Sequence, residues 1–184
     1  LKQSPKTWVV LSVTGMGLVI FLLINRLIFA SLPVEVPSYG ILDFEFAWTA
    51  NQITVIFNAW GPEGIALHAS GIYWDFLYIL GYGSLIAGLI LLLSRQLSGK
   101  IKLIGLYFSL FPFLAGIFDC IENFLLLAML NNPTGFASMI PWFAGLMASI
   151  KFGLLLLGIG FFFIGLVLWP IEWIKSNKKS NESV

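Results

Sequence analysis

Phe111-Pro-Phe-Leu-Ala-Gly-Ile-Phe-Asp-Cys-Ile-Glu-Asn-Phe-Leu-Leu-Leu-Ala-Met-Leu130 is the stretch that decides the fold. As a helix rising 1.5 Å per residue it is about 30 Å long, the thickness of a bilayer's hydrocarbon core. Its interior nevertheless holds Asp119 and Glu122. A charge near the centre of a spanning helix costs roughly 2.5–3.5 kcal/mol, so such acids require partners from other helices. Asp119, Glu122 and Asn123 are spaced i, i+3 and i+4 and therefore project from one face. That face has to point into a bundle.

Working outward, the run extends upstream to Leu103, and three further apolar segments cover residues 8–30, 72–93 and 140–169. Each reaches the roughly 20 residues that a spanning helix needs. The spans 103–130 and 140–169 exceed that length, which predicts tilt or protrusion. Composition agrees: 59% of the 184 residues are hydrophobic, 10% are charged and the mean hydropathy is +0.94, whereas soluble domains carry about 25% charged residues. Spanning helices satisfy their own backbone polar groups; a barrel would show short alternating strands instead. The expected fold is all-α, a four-transmembrane-helix bundle forming a single membrane domain over residues 1–184.

Lys2 and Lys6 precede the first span, Arg95, Lys100 and Lys102 lie at the second connection, and Lys175, Lys178 and Lys179 follow the fourth. The connection 31–71 holds no Lys or Arg but carries Glu35, Asp43, Glu45 and Glu63, and 131–139 is uncharged. The positive-inside rule puts both termini in the cytoplasm, with 170–184 a cytoplasmic tail. Trp8, Trp74, Trp142, Trp169 and Trp173 fall near span ends, where indole rings prefer the headgroup boundary. The first run is too long for a cleaved signal and lacks a small-residue cleavage pattern, so it is read as a span. Localisation is expected in a bacterial inner (plasma) membrane or an internal membrane such as a thylakoid.

The outer connection, 31–71, is longer than an ordinary loop and should have structure of its own. Leu42, Phe44, Phe46 and Trp48 alternate with Asp43, Glu45 and Ala47, a strand-like period. Thr49-Ala-Asn-Gln52 fits a capping box and Gly61-Pro62 a stop, which predicts a short amphipathic helix between them. Ile53, Ile56, Phe57 and Trp60 would share one side; Asn51, Thr54 and Asn58 would share another. Such a lid suits burial in the headgroups and packing over the bundle equally.

From the span limits, Arg26 and Asp75 lie roughly 5 Å inside the outer boundary, Glu122 about 12 Å, and Asp119 and Lys151 about 16 Å. Lys151 is matched in depth to Asp119 and is its natural counter-ion, while Arg26 is placed to reach Asp75 or Glu122. Two positive and three negative groups leave one carboxyl as a candidate for protonation, and Glu122 is that candidate, since Lys151 takes Asp119. Gly145, Ser149 and Gly153 form a small-residue stripe on which another helix is expected to dock, with Ser84 and Gly88 a shorter version. Pro112 removes a backbone donor and predicts a kink.

Ile41-Leu-Asp-Phe-Glu-Phe-Ala, Ala59-Trp-Gly-Pro-Glu-Gly64, Trp74-Asp-Phe-Leu-Tyr78, Phe118-Asp-Cys-Ile-Glu-Asn123 and Ser149-Ile-Lys-Phe152 together give the chain a likeness. It resembles a family of small bacterial four-helix integral membrane proteins over most of its length after the first span. The resemblance implies that Asp75 is the family's acid opening the second span, that Asp119, Glu122 and Asn123 are its Asp-x-x-Glu-Asn element, and that Lys151 is its fourth-helix lysine. Ile65 stands where that family often has Arg.

His68 is the only histidine and Cys120 the only cysteine. No His-rich metal or haem site is therefore expected, no cofactor is predicted, and His68 reads as a surface polar group. Gly81-Tyr-Gly83 lies inside a span and reads as packing rather than as a phosphate loop. Nucleic acid is not an expected partner; membrane lipids and a larger membrane complex or homo-oligomer are, and bound lipid is compatible with the composition. Three classes of function are left. A non-catalytic accessory or scaffold subunit ranks first, its ion pairs fixing helix register. Binding, rather than transport, of a lipid-like or cationic ligand at Arg26, Asp75, Asp119, Glu122, Asn123 and Lys151 comes second. A membrane enzyme using Glu122 as acid or base on a lipidic substrate comes third.

Overall fold

The computed structural model describes residues 5–31 and 39–181, without side-chain detail from 175 onward. Lys2, Glu35, the side chains of Lys175, Lys178 and Lys179, and the tail after 181 lie outside the described residues. The elements are α1 (Thr7–Leu27), a 3-10 turn (Phe29–Ser31), α2 (Ile41–Glu45), α3 (Ala50–Ser94), α4 (Gly99–Phe108), α5 (Phe111–Leu130) and α6 (Ile140–Asn181). Four helical stretches are long and apolar enough to cross a membrane: α1, α3, α4 with α5, and α6. The protein is a multi-pass, all-α membrane bundle.

α3 is two helices joined end to end at a non-helical residue, Gly61. α3 begins at the Thr49 cap, where Thr49 N–H donates to Gln52 Oε1 at 3.1 Å and Gln52 N–H donates to Thr49 Oγ1 at 3.3 Å. It then runs through the expected lid helix and on to Ser94. The first of these helices stops at Gly61, as Gly61-Pro62 predicts: with φ 64° and ψ −178° the residue is non-helical, in a region of positive φ that a Cβ penalises. Pro62 follows at the first position of the resumed helix, where a missing N–H costs nothing. The third span is broken as Pro112 predicts. α4 ends at Phe108, and α5 restarts with Pro112 in its first turn. α6 continues as helix through the stretch expected to be a tail, as far as Asn181.

The strand-like run 42–48 forms no strand: it starts in the helix α2 and leaves it by a turn after Glu45. Phe44 and Ala47 are buried while Leu42, Phe46 and Trp48 stay exposed, so the inward spacing is three and not two. An isolated strand has no partner for its backbone. The five-residue α2 bonds to itself, and Gly40 N–H donates to Asp43 Oδ2 at 2.7 Å. The first part of α3 buries Ile53, Ile56, Phe57 and Trp60 and exposes Asn51, Thr54 and Asn58. Those buried faces join Phe44, Leu126, Met129, Leu130 and Ala144 in one apolar cluster. The segment thus packs over one end of the bundle.

Small residues set the helix order. A Cβ at Gly17 of α1 would meet Leu85 N at 2.7 Å and Gly81 O at 2.8 Å on α3. At Gly88, the stripe residue of α3, it would collide with Thr14. α1 and α3 therefore touch backbone to backbone. α5 packs between α3 and α6, whereas α1 packs along α3 and makes no comparable contact with α5 or α6. The Gly145 stripe on α6 does not receive a helix. Gly145 is covered by the Trp48 ring, 3.1 Å from a built Cβ, and Gly153 has open space before it.

Candidate functional site

α6 places Lys151 against the polar face of α5. The side chain is buried, with Nζ 2.8 Å from Asp119 Oδ1, 2.8 Å from Glu122 Oε2 and 3.4 Å from Glu45 Oε2. Asp119 is thus the counter-ion that the matched depths predict, and Glu122 shares the ammonium. Glu122 is fully buried, and neither of its oxygens has a hydrogen-bond donor aligned on it. Its contact with Nζ is close, but not directed as a hydrogen bond.

Sequence reasoning misses the third carboxyl. Glu45 closes α2, and the packing of Phe44 and Ala47 into the bundle turns it onto Lys151. Phe46 stacks on Phe152 with ring centroids 5.6 Å apart, fixing α2 to α6 beside the ion cage. Burial lifts the Glu45 carboxyl above its ordinary value of 4.5; Lys151 opposes that rise and Asp119 adds to it. Periodicity misassigns this residue because a strand would send it to solvent.

Two hydrogen bonds tie α3 to α5. Tyr82 Oη donates to Asp119 Oδ2 at 2.7 Å, and Asn123 Nδ2 donates to Asp75 Oδ2 at 2.7 Å. Helix-rise arithmetic separates Asp75 from Asp119 by about 11 Å in depth; the structure brings both to one cavity, each with its own donor. Arg26 takes no part. It is exposed in the last turn of α1 and, among the described residues, pairs with neither Asp75 nor Glu122. A guanidinium there complements the helix C-terminus and extends toward the polar boundary instead.

The cavity measures about 620 Å³. Its polar wall is Asp75, Asp119, Asn123, Lys151 and Glu45, and its floor and sides include Tyr78, Tyr82 and His68. Glu122 does not line it. His68 is half-buried rather than a surface group: its ring stacks on Trp60 at 3.6 Å and 7°, with Nδ1 2.8 Å from Gly64 O. Trp60 is held in turn by Nε1–H donating to Tyr39 O at 2.8 Å. Sequence spacing did contain this wall. His68, Asp75, Tyr78 and Tyr82 recur at intervals of seven, three and four along α3, one helical face of polar and aromatic residues inside an apolar span. The glycines beside Tyr82 do serve packing: Gly81 meets Phe21 N at 2.9 Å and Gly83 meets Pro112 O at 3.7 Å from their built Cβ positions.

Chemically, four carboxyls, those of Glu45, Asp75, Asp119 and Glu122, face a single ammonium. Three surround Lys151 and, among the described residues, the fourth, Asp75, is held by a neutral amide donor and by no salt bridge. Uncompensated charge is costly in such a setting, so the excess is matched by protons or by a cation from outside. Among the described residues no His/Cys/Asp/Glu group has the arrangement of a metal site. Comparison with protein-family models, with curated proteins and with solved structures returns no match, so the reading of the site rests on its geometry.

Proposed function

We propose that the protein binds an organic cation bearing an apolar group in the cavity between α3, α5 and α6, with Asp75 as the ligand's counter-ion. The observation behind this reading is a cavity of about 620 Å³ whose polar wall holds a carboxylate without a cation. That volume is within the range of small-molecule pockets, which are mostly apolar with a few placed polar groups. Asn123 orients Asp75 and Tyr82 orients Asp119, so both acids present fixed acceptors. The accessory-subunit reading has one support of its own, since the cage around Lys151 fixes the register of α2, α5 and α6 with or without a ligand. Catalysis through Glu122 is disfavoured because that carboxyl is fully buried on Lys151 and does not line the cavity.

The same reading sets the orientation. Lys6, Arg95, Lys100 and Lys102 belong at the cytoplasmic end, where Arg95 donates to Pro5 O at 2.7 Å and to Thr7 Oγ1 at 3.2 Å. The α2 lid then covers the outer end, in a bacterial plasma or internal membrane. The test is a melting curve of the purified protein with octylamine or with octanoate. Octylamine at about a hundred times its dissociation constant should stabilise by about 2.7 kcal/mol, octanoate should not, and Asp75→Asn should abolish the effect. Equal stabilisation of the Asp75→Asn protein by octylamine would refute the assignment.

A further inference from the structure

Resting on that reading, we propose that the ligand is a single-chain, non-phosphorylated amine dissolved in the bilayer, which reaches Asp75 sideways through a gap between α1 and α6 and leaves its tail there. The gap follows from the packing order. Among the described residues α1 packs chiefly on α3, and α6 on α5 and α3 with smaller contacts to α2 and α4, while α1 and α6 make no comparable contact with each other. The cavity wall on that side is apolar: Phe21 and Phe29 come from the α1 side, Ile41 and Leu42 from α2, Phe152 and Leu155 from α6. Neighbouring Leu22 and Leu23 on α1 and Leu156 and Leu157 on α6 are exposed, which puts hydrocarbon at both edges of the gap.

The cavity is polar only in part. Asp75, Asp119, Asn123, Lys151 and Glu45 are its polar lining, and Phe21, Phe29, Ile41, Leu42, Phe152 and Leu155 supply apolar lining from α1, the turn after it, α2 and α6. Tyr78 stands between, stacked on Phe21 at 5.2 Å and edge-on to Phe29 at 5.1 Å, an aromatic frame through which an ammonium passes favourably. A head with that charge goes inward and its tail stays outward. The charge count also selects against phospholipids: Lys151, the cation on the cavity wall, is already engaged by three carboxyls, so a phosphate would face acids without a partner. α2 covers the gap from one end and directs access toward the membrane plane.

The experiment uses the full chain in phosphatidylcholine nanodiscs and a dodecylamine carrying a diazirine at the end of its chain. After photolysis, adducts are mapped by mass spectrometry. Adducts on α1 around Phe21 to Phe29 and on α6 around Phe152 to Leu155, lost in Asp75→Asn and restored in Asp75→Glu, are the expected result. A fatty acid with the same diazirine should give none at these positions. Adducts confined to 40–60, yet still dependent on Asp75, would leave the counter-ion assignment standing and overturn the sideways route. Adducts on α1 and α6 that persist in a folded Asp75→Asn protein would overturn the counter-ion assignment and this inference with it. Butylamine supplies the third arm: if it displaces the probe mole for mole as well as unlabelled dodecylamine does, the ligand comes from water and the proposal fails.

Discussion

Lys151→Met removes the ammonium at the centre of the cage and is the sharpest test of what holds the bundle together. The variant keeps the aliphatic volume, so α6 loses little packing. It strips the cationic partner from Asp119 and Glu122, both 2.8 Å from Nζ, and from Glu45 at 3.4 Å. Breaking a buried ion pair from one side costs about 3–5 kcal/mol, and the buried position of Lys151 allows no discount for solvent screening. The loss should be read by unfolding in mixed micelles titrated with dodecyl sulfate, following tryptophan emission. Three carboxyls share the cation, so replacing Asp119 alone cannot restore balance. A triple variant, Lys151→Met with Asp119→Asn and Glu122→Leu, should recover at least half of the loss. The amide that replaces the Asp119 carboxyl would still accept from Tyr82, and truncating Glu122 to an apolar side chain sacrifices no hydrogen bond because neither of its oxygens has an aligned donor. A triple variant no more stable than Lys151→Met would refute the view that charge imbalance, rather than shape, sets the energy of this core.

Glu45→Lys and Asp43→Lys should separate by at least about 2 kcal/mol in the same unfolding assay. The first sets a second cation against buried Lys151, while the second removes only the exposed Gly40 cap, worth about 1 kcal/mol. Gly61→Ala should cost about 1–2 kcal/mol from the positive-φ backbone alone, since a Cβ there meets open space; melting temperature reports it. Because burial raises the Glu45 carboxyl, the folded state holds its proton more tightly than the unfolded chain does. The stability that this adds is present below 4.5 and fades as pH rises through the folded value, so the melting temperature of wild type should fall relative to that of the non-titrating Glu45→Gln across that window.

The spans were legible because lipid imposes one rule on every residue that faces it, and a run such as 72–93 obeys that rule without help from its neighbours. Asp119, Glu122 and Lys151 were legible for the complementary reason, since charges at that depth must meet. Depth arithmetic failed for Asp75 and Arg26, which lie nearer the boundary. There an arginine can satisfy itself at the polar edge, and an aspartate can take Asn123 in place of a cation. Periodicity failed in 42–48 because a seven-residue run samples too few turns to distinguish a spacing of two from one of three when every second residue is large and apolar. Which of the two was right depended on Phe44 and Ala47 finding α3, α5 and α6, contacts distant in sequence.

Glu45 joins these two lessons into a statement about the site. Its carboxylate belongs to the lid, its partner Lys151 belongs to the bundle, and both line the cavity. A lid held only by Phe44, Phe57 and Trp60 would keep its place whatever the cavity contained. One that also ends in an acid on a shared ammonium responds to the charge state of the cavity wall. A cation arriving at Asp75 offsets part of the negative excess that Lys151 otherwise holds alone, which relieves the competition among Glu45, Asp119 and Glu122 for Nζ. Under the proposed amine binding, ligand and lid are coupled through Lys151, and linkage requires the reverse as well: Glu45→Gln, which removes one competitor, should change amine affinity by the same factor by which the amine changes the hold on Glu45.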